Sequence, residues 1–430
     1  MNRSHRLGLA PIAGLAAVSL VLAACGSSNH ASSGALQASA PGVTAKTITI
    51  GSTQPLTGIA APGYDEIAPA SNAYFQYVNA HGGVYGRKIV YKYLNDQYNS
   101  SMTTTDVRQL ILQDHVFALF NGLGTPTHLA VAPFINAEKV PDLFVASGCA
   151  CWNATSSWPE TFGWQTNYIR EGKILGSYIA ANFKGKKIAF FYQDDEFGLD
   201  GVKGLSDEIP ASQVVAKEPY NVAAANPAAE VGTLTAALKA SGAQVVVAFA
   251  VPDFMALLRL SELSLGYNPT IVSSSVGSDP QTIAGLLNAF AKKSGSFGMS
   301  LIQGLITDSY LPSLGSSNSW IQLFTKIHNQ YIPKLPLDGN VLYGLSVGYT
   351  FVQALFKAGR NPTRQDLVNA VNSGLPQGVS VAPYAYTSTD HDGMTGAYMA
   401  VIKQLALTPL GPVQVTDSTA TGAVTTDSTA

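Results

Sequence analysis

Residues Val116 to Phe120 read VFALF and run directly into Asn121 to His128, NGLGTPTH. Five apolar residues in a row, closed by glycines, are the pattern of a short strand buried on both faces, as in a parallel sheet covered by helices. The next residues make a helix start: Thr125 is a good N-cap, Pro126 suits the first helical position and Thr127 falls in the first turn. A strand that turns through glycine into a helix leaves unpaired N–H groups and a partial positive charge at the turn, enough to receive one carboxylate. A nucleotide is excluded. There is no G-x-x-x-x-G-K-[ST] to bring a lysine to a phosphate, and Thr127 stands where the dinucleotide fingerprint begun by Gly122-x-Gly124 needs a third glycine.

The same grammar repeats outward from this stretch. Strand-like runs are expected at Thr47–Ser52, Lys88–Leu94, Val116–Phe120, Asp142–Ala146, Lys187–Tyr192, Gln213–Lys217, Gln244–Ala250 and Thr270–Ser274. Between them lie helical stripes such as Val107, Leu110 and Ile111, or Val231, Leu234 and Leu238. Sustained strand-helix alternation means α/β layers. One sheet holding all eight strands would be too large, so two are expected, and 430 residues give room for two cored domains. With 12% charged residues, a net charge of −2 and no run of Lys or Arg, the chain carries no nucleic-acid surface. Val413 to Ala430 is Ser/Thr-rich and repeats TDSTA, so residues 411–430 are expected to be disordered.

The N-terminus speaks for export. Arg3, His5 and Arg6 precede an apolar stretch broken by Gly8, Pro11 and Gly14, which ends in Leu22-Ala23-Ala24-Cys25. This is the pattern of a signal peptide over residues 1–24; a retained transmembrane helix fits less well, because of the breaks and the missing basic stop. The LAAC ending resembles a bacterial lipobox, which implies lipidation at Cys25, a flexible tether over residues 25–45 and a chain anchored on the extracytoplasmic face of the cell membrane.

Cys149 and Cys151 remain. Two thiolates without a third ligand make a poor metal site, and outside the cytoplasm either a local disulfide or two structural thiols is allowed. Enzyme readings are weak: no G-x-S-x-G elbow appears and no histidines stand at metal-ligand spacing. Asp194-Asp195-Glu196 reads as a solvated loop that caps the next helix, and His391-Asp392 as a structural turn.

Five stretches in order carry a resemblance: QPLTG from Gln54, NAHGGVYGRKI from Asn79 with Asp96 beyond it, the opening loop with AVAP from Ala130 and Val140-Pro141, DDEFG from Asp194, and Tyr343-Gly344 with its long helix. Over about Lys46 to Gln404 the chain resembles the type I periplasmic binding proteins, specifically the branched-chain amino acid (Leu/Ile/Val-type) substrate-binding lipoproteins of ABC importers. The resemblance implies two α/β lobes, each a parallel-rich sheet flanked by helices, joined by three hinge crossovers and closing on a ligand. Residues 46–166 with about 304–373 would form one lobe, and about 167–303 with 374–410 the other. It implies no catalysis, no cofactor and no metal. The implied partners are a small-molecule ligand, the membrane through the lipid anchor, and a permease with cytoplasmic ATPase subunits; a receptor subunit that signals without transport is the alternative.

Carried over residue by residue, the resemblance puts the ligand's carboxylate on Thr125, Ser147 and Gly148, with Tyr64 as a wall. The second lobe would contribute Tyr168, Phe197, where the family often has Tyr, and the turn Val251-Pro252-Asp253. Asp253 either holds a ligand ammonium or caps the helix starting near Phe254. Together with Trp152 and Trp164, the aromatic residues suggest an apolar wall. The expected ligand is an amino acid or similar small carboxylate with an apolar side chain.

Overall fold

The computed structural model describes residues 35–427; the leader and Cys25 lie outside them. The first lobe opens with β1 (Thr47–Gln54), α1 (Ile67–Ala80), β2 (Lys88–Asn95), α2 (Ser100–Leu112), β3 (Ala118–Phe120), α3 (Thr125–Leu129), α4 (Ala132–Ala137), β4 (Asp142–Val145) and β5 (Thr161–Gly163). Its sheet is parallel throughout, in the order β2-β1-β3-β4-β5. The VFALF stretch is central in it and fully buried, as five apolar residues between two helical layers must be.

The chain then crosses to the second lobe through residues 164–167. It builds α5 (Tyr168–Asn182), β6 (Ile188–Gln193), α6 (Glu196–Glu208), β7 (Val214–Tyr220), α7 (Pro227–Ala240), β8 (Val245–Phe249), α8 (Pro252–Ser264), β9 (Thr270–Ser273), α9 (Pro280–Phe290), α10 (Phe297–Ile302) and β10 (Ile306–Ser309). It crosses back for α11 (Ser319–Tyr331), α12 (Gly339–Ala358) and α13 (Arg364–Asn372), whose apolar faces join the core of the first lobe. A third crossing leads to β11 (Gly396–Lys403), β12 (Ala406–Pro409), β13 (Gln414–Val415) and β14 (Thr425–Thr426). The second sheet runs β14-β13-β11-β10-β9-β8-β6-β7, with β12 paired to β11. From β10 to β7 it is parallel; β11 is antiparallel to β10.

Local chemistry sets the element ends. Asn167 caps α5 by accepting from Arg170 N at 2.8 Å, and Asp195 caps α6 by accepting from Phe197 N at 3.0 Å, so the DDE cluster is a capping loop. Thr125 is not the cap of α3. Gly124 holds that place with φ 109°, a left-handed value that favours glycine, and a Cβ there would lie 2.4 Å from Thr127 Oγ1.

Four expectations change. Residues 306–309 belong to the second sheet as β10 instead of starting the return to the first lobe; ITDS carries three polar residues and lacks the apolar run that marks the other strands. Conversely Val379, Tyr386 and Met394 sit in the core of the first lobe, so the third crossing comes later than residue 374.

The expected tether is docked from Leu36 onward. Arg87 Nη2 donates to Gln37 O at 2.8 Å and Arg87 Nε to Thr44 O at 2.6 Å, and Ser39 Oγ donates to Pro362 O. The Ser/Thr-rich tail is ordered as far as it is described. The buried ammonium of Lys173 donates to the carbonyls of Asp417, Thr419 and Gly422 at 3.1, 2.7 and 2.6 Å, which composition alone does not reveal. Cys149 and Cys151 are joined by a disulfide.

Candidate ligand-binding cleft

Both sheets point the carboxyl ends of their parallel strands at one cavity of about 400 Å³. This is where open α/β sheets place their ligands, and the volume lies within the range of small-molecule sites. The first lobe contributes the loops after β1 (Tyr64), β2 (Tyr98) and β3 (Leu123 to Thr125). The second contributes Phe197, Val251, the turn from Ser275 to Ser278, and Asp308 to Leu311 beyond β10. Gln165 and Tyr168 enter from the first crossing, and Asn340 and Tyr343 from the start of α12.

Five of the sequence-predicted residues meet in this cavity: Tyr64, Thr125, Tyr168, Phe197 and, from the predicted turn, Val251. Tyr168 packs on Phe197 with ring centroids 4.6 Å apart, so the position carrying Phe instead of Tyr is an apolar wall. Ser147 stands one layer behind: its Oγ is 2.7 Å from Thr125 Oγ1 and accepts from Cys149 N at 3.1 Å. It therefore orients the Thr125 hydroxyl without lining the cavity. Gly148 does not line it either. Its carbonyl accepts from Tyr168 N at 2.6 Å, and a Cβ would lie 2.9 Å from Thr166 O, so glycine is needed for the close approach to the crossing.

Asp253 is elsewhere. It lies in the first turn of α8, 7% exposed, with Oδ1 unpartnered, and burial pushes its carboxyl up to about 6. The helix is capped at Val251 with no side-chain hydrogen bond, so Asp253 fills neither role expected of it. Trp152 and Trp164 are core residues and not walls.

Sequence reasoning missed Tyr98, Gln165, Asp308, Tyr310 and Tyr343. The tyrosines come from separate loops whose convergence is a property of the fold. Asp308 was missed because β10 itself was not legible, its residues being mostly polar. Burial raises the phenols of Tyr64, Tyr98, Tyr168, Tyr310 and Tyr343, so all five are neutral groups able to donate or accept. Tyr343 Oη accepts from Asn121 Nδ2 at 3.2 Å and donates to Gln165 Oε1 at 3.4 Å. Among the described residues no Lys, Arg or His lines the cavity.

Polar contacts tie the lobes at the cavity's edge. Tyr64 Oη donates to Val276 O at 2.8 Å, Asn340 Nδ2 to Thr282 Oγ1 at 3.0 Å, and Gly339 N to Asp279 Oδ2 at 2.9 Å. Glu66 and Asp338 pair beside this last contact. Burial and the neighbouring Asp338 push Glu66 up to about 9, and burial and Asp279 push Asp338 up to about 7.

The chain matches the family model described as periplasmic binding protein over residues 47–406. It is similar to Leu/Ile/Val-binding protein homolog 3 of Brucella melitensis, 27% identical over 173 residues, which are 38% of this chain and 43% of that protein. The match thus spans less than half the length of that curated relative. A branched-chain amino acid ABC transporter structure from Thermus thermophilus with bound valine superposes with TM-score 0.72 at 18% identity, covering 87% of this chain and 97% of that one. A fatty acid ABC transporter substrate-binding protein from Thermomonospora curvata superposes with TM-score 0.71 at 22% identity, covering 88% and 95%. The Brucella and Thermomonospora relatives are named as binding proteins. At such identities the structural likeness carries the fold.

Proposed function

We propose, from the premise that the chain belongs to the periplasmic binding protein family, that it is the substrate-binding lipoprotein of an ABC importer and captures an amino acid or similar small carboxylate between its lobes. One observation carries this reading: loops from the carboxyl ends of both sheets line a single cavity between two separately cored lobes. The Thr125 hydroxyl supplies a donor for a carboxylate, and Phe197, Leu123 and Leu342 supply apolar wall. The relatives' names support a ligand of this kind: one is a Leu/Ile/Val-binding homologue, one structure holds valine, and one belongs to a fatty acid transporter. The permease and ATPase subunits of the importer would receive the closed, loaded form.

A ligand held between the lobes binds only the folded protein. Saturation at about 100 times Kd should therefore stabilise it by about 2.7 kcal/mol, and scattering should register compaction as the lobes close. Thermal shift against a metabolite library, followed by scattering on the hits, tests both; a tight ligand without compaction would refute the clamp. The anchoring half of the reading rests on LAAC before Cys25. Mass spectrometry of the protein from its native membrane should find Cys25 as a lipid-bearing N-terminus, and Cys25→Ala should leave the protein either unprocessed, with its leader still attached, or shed from its anchor. An unmodified Cys25 in membrane-derived protein would refute lipidation.

A further inference from the structure

The cavity has one feature that a neutral clamp does not need. Asp308 lines it, yet is only 1% exposed; among the described residues its carboxylate has only the Glu171 carboxyl and the backbone N–H groups of Asp308 and Ser275 nearby, and neither oxygen has a well-formed hydrogen bond. Beside it is Glu171, from the first turn of α5 and also 1% exposed. Glu171 Oε1 accepts from Ser275 N at 2.6 Å, while Oε2 has no donor. Two carboxylates can hydrogen-bond to each other only by holding a proton between them. Burial, then Glu171, pushes Asp308 well above the usual carboxylate range, and burial raises Glu171 as well.

The surroundings offer no compensating charge. Arg170 turns away to Asp392 at 3.2 Å, and Lys173 turns to the C-terminal carbonyls. The other titratable groups facing the pair are phenols: Tyr168 on α5, Tyr310 just past β10 and Tyr398 on β11, all raised by burial and so neutral. A buried acid open to a ligand cavity, with unused acceptor atoms and no cation, is half of an ion pair.

We propose that Asp308, with Glu171 behind it, receives a protonated amine of the ligand, whose N–H groups take the place of the proton shared by the two carboxyls. That proton leaves to solvent as the ammonium enters, so the charge of the site is unchanged. The inference rests on the clamp reading and narrows it: the ligand is an ammonium-bearing molecule, and Asp308 takes the part that the sequence suggested for Asp253. Binding weakens in acid, where solvent protons compete with the amine for the same acceptors.

The test uses matched probes on the full chain. Leucine and phenylalanine are compared with 4-methylpentanoate and 3-phenylpropanoate, and their two amides with the amides of those acids. Calorimetry in two buffers of different ionisation heat gives affinity and protons released. The amines should bind at least about tenfold tighter than their deamino partners and release up to about one proton each. Asp308→Asn should erase that preference, bringing the affinities of each amine and its deamino partner together. Should that variant fail to fold, Glu171→Gln, which removes one of the two acids, should abolish the proton release. Acids that bind as tightly as the amines, or a preference that survives in both variants, would overturn the proposal and leave the clamp standing. If no probe and no member of a wider metabolite library compacts the protein, the clamp itself fails, and the proposal with it.

Discussion

Trp164→Ala should cost about 3–5 kcal/mol, the range for emptying a buried indole site. Trp164 is fully buried in the first lobe's core, its Nε1 donates to Thr350 Oγ1 at 3.1 Å, and its ring meets Tyr343 edge-on with centroids 4.8 Å apart. It is also the point where two crossings run side by side. Its carbonyl accepts from Met394 N at 3.0 Å, and Thr166 Oγ1 donates to Gly396 O at 2.7 Å. A cavity here loosens a lobe and the joint between lobes together. Urea denaturation followed by the fluorescence of Trp152, Trp158 and Trp320 should show the midpoint falling sharply. A loss under about 1 kcal/mol would mean that the neighbouring rings collapse into the space.

The second expectation is a stability that declines as pH rises. Glu66 and Asp338 have folded-state values raised to about 9 and about 7, from 4.5 and 3.8. For an acid raised on folding, the folded state holds its proton after the unfolded chain has released it. The stabilisation is then complete below about pH 4 and is lost progressively up to about pH 9. The loss falls on the contact between lobes, where Asp279 accepts from Gly339. The melting temperature should drop from about pH 5 to about pH 9, and Glu66→Gln should flatten the drop, with little change at the acid end and a gain at the alkaline end. Asp338→Asn should act the same way, since asparagine can still cap α12 in place of the carboxylate that accepts from Val341 N. A wild-type slope unchanged in both variants would remove these carboxyls from the account.

How far the sequence revealed this molecule depends on which physics shaped each part. Runs such as Val245 to Phe249 announce themselves because a strand buried on both faces has no room for a polar side chain. β10 did not, because Thr307 and Asp308 are buried polar residues whose partners arrive from distant segments. The ordered tail was hidden for a related reason. Its composition cannot bury a core, but a single buried lysine supplies donors for three of its carbonyls. In the cleft, Thr125 was legible from its strand-glycine-helix context. Tyr98, Tyr310 and Tyr343 were not, because ordinary tyrosines become a site only when separate loops converge. Asp253 was assigned to the ligand by its place after a strand, yet it is absent from the residues that line the cavity.

The three crossings also govern how the chain can be made. Neither lobe is finished in sequence order: the first waits for α12, where Ser71 Oγ donates to Gly344 O at 2.8 Å, and the second waits for β11 to cover the open edge of β10. A nascent chain that has passed β5 therefore holds a complete five-stranded sheet with one face still uncovered. After β10 it adds a bare strand edge able to pair with another copy. Contacts this far apart in sequence slow folding and lengthen the exposed interval. Fragments ending before Gly396 should aggregate instead of folding as lobes. Splitting this protein into its two halves for separate production requires circular permutation, with the C-terminal strands grafted ahead of α5.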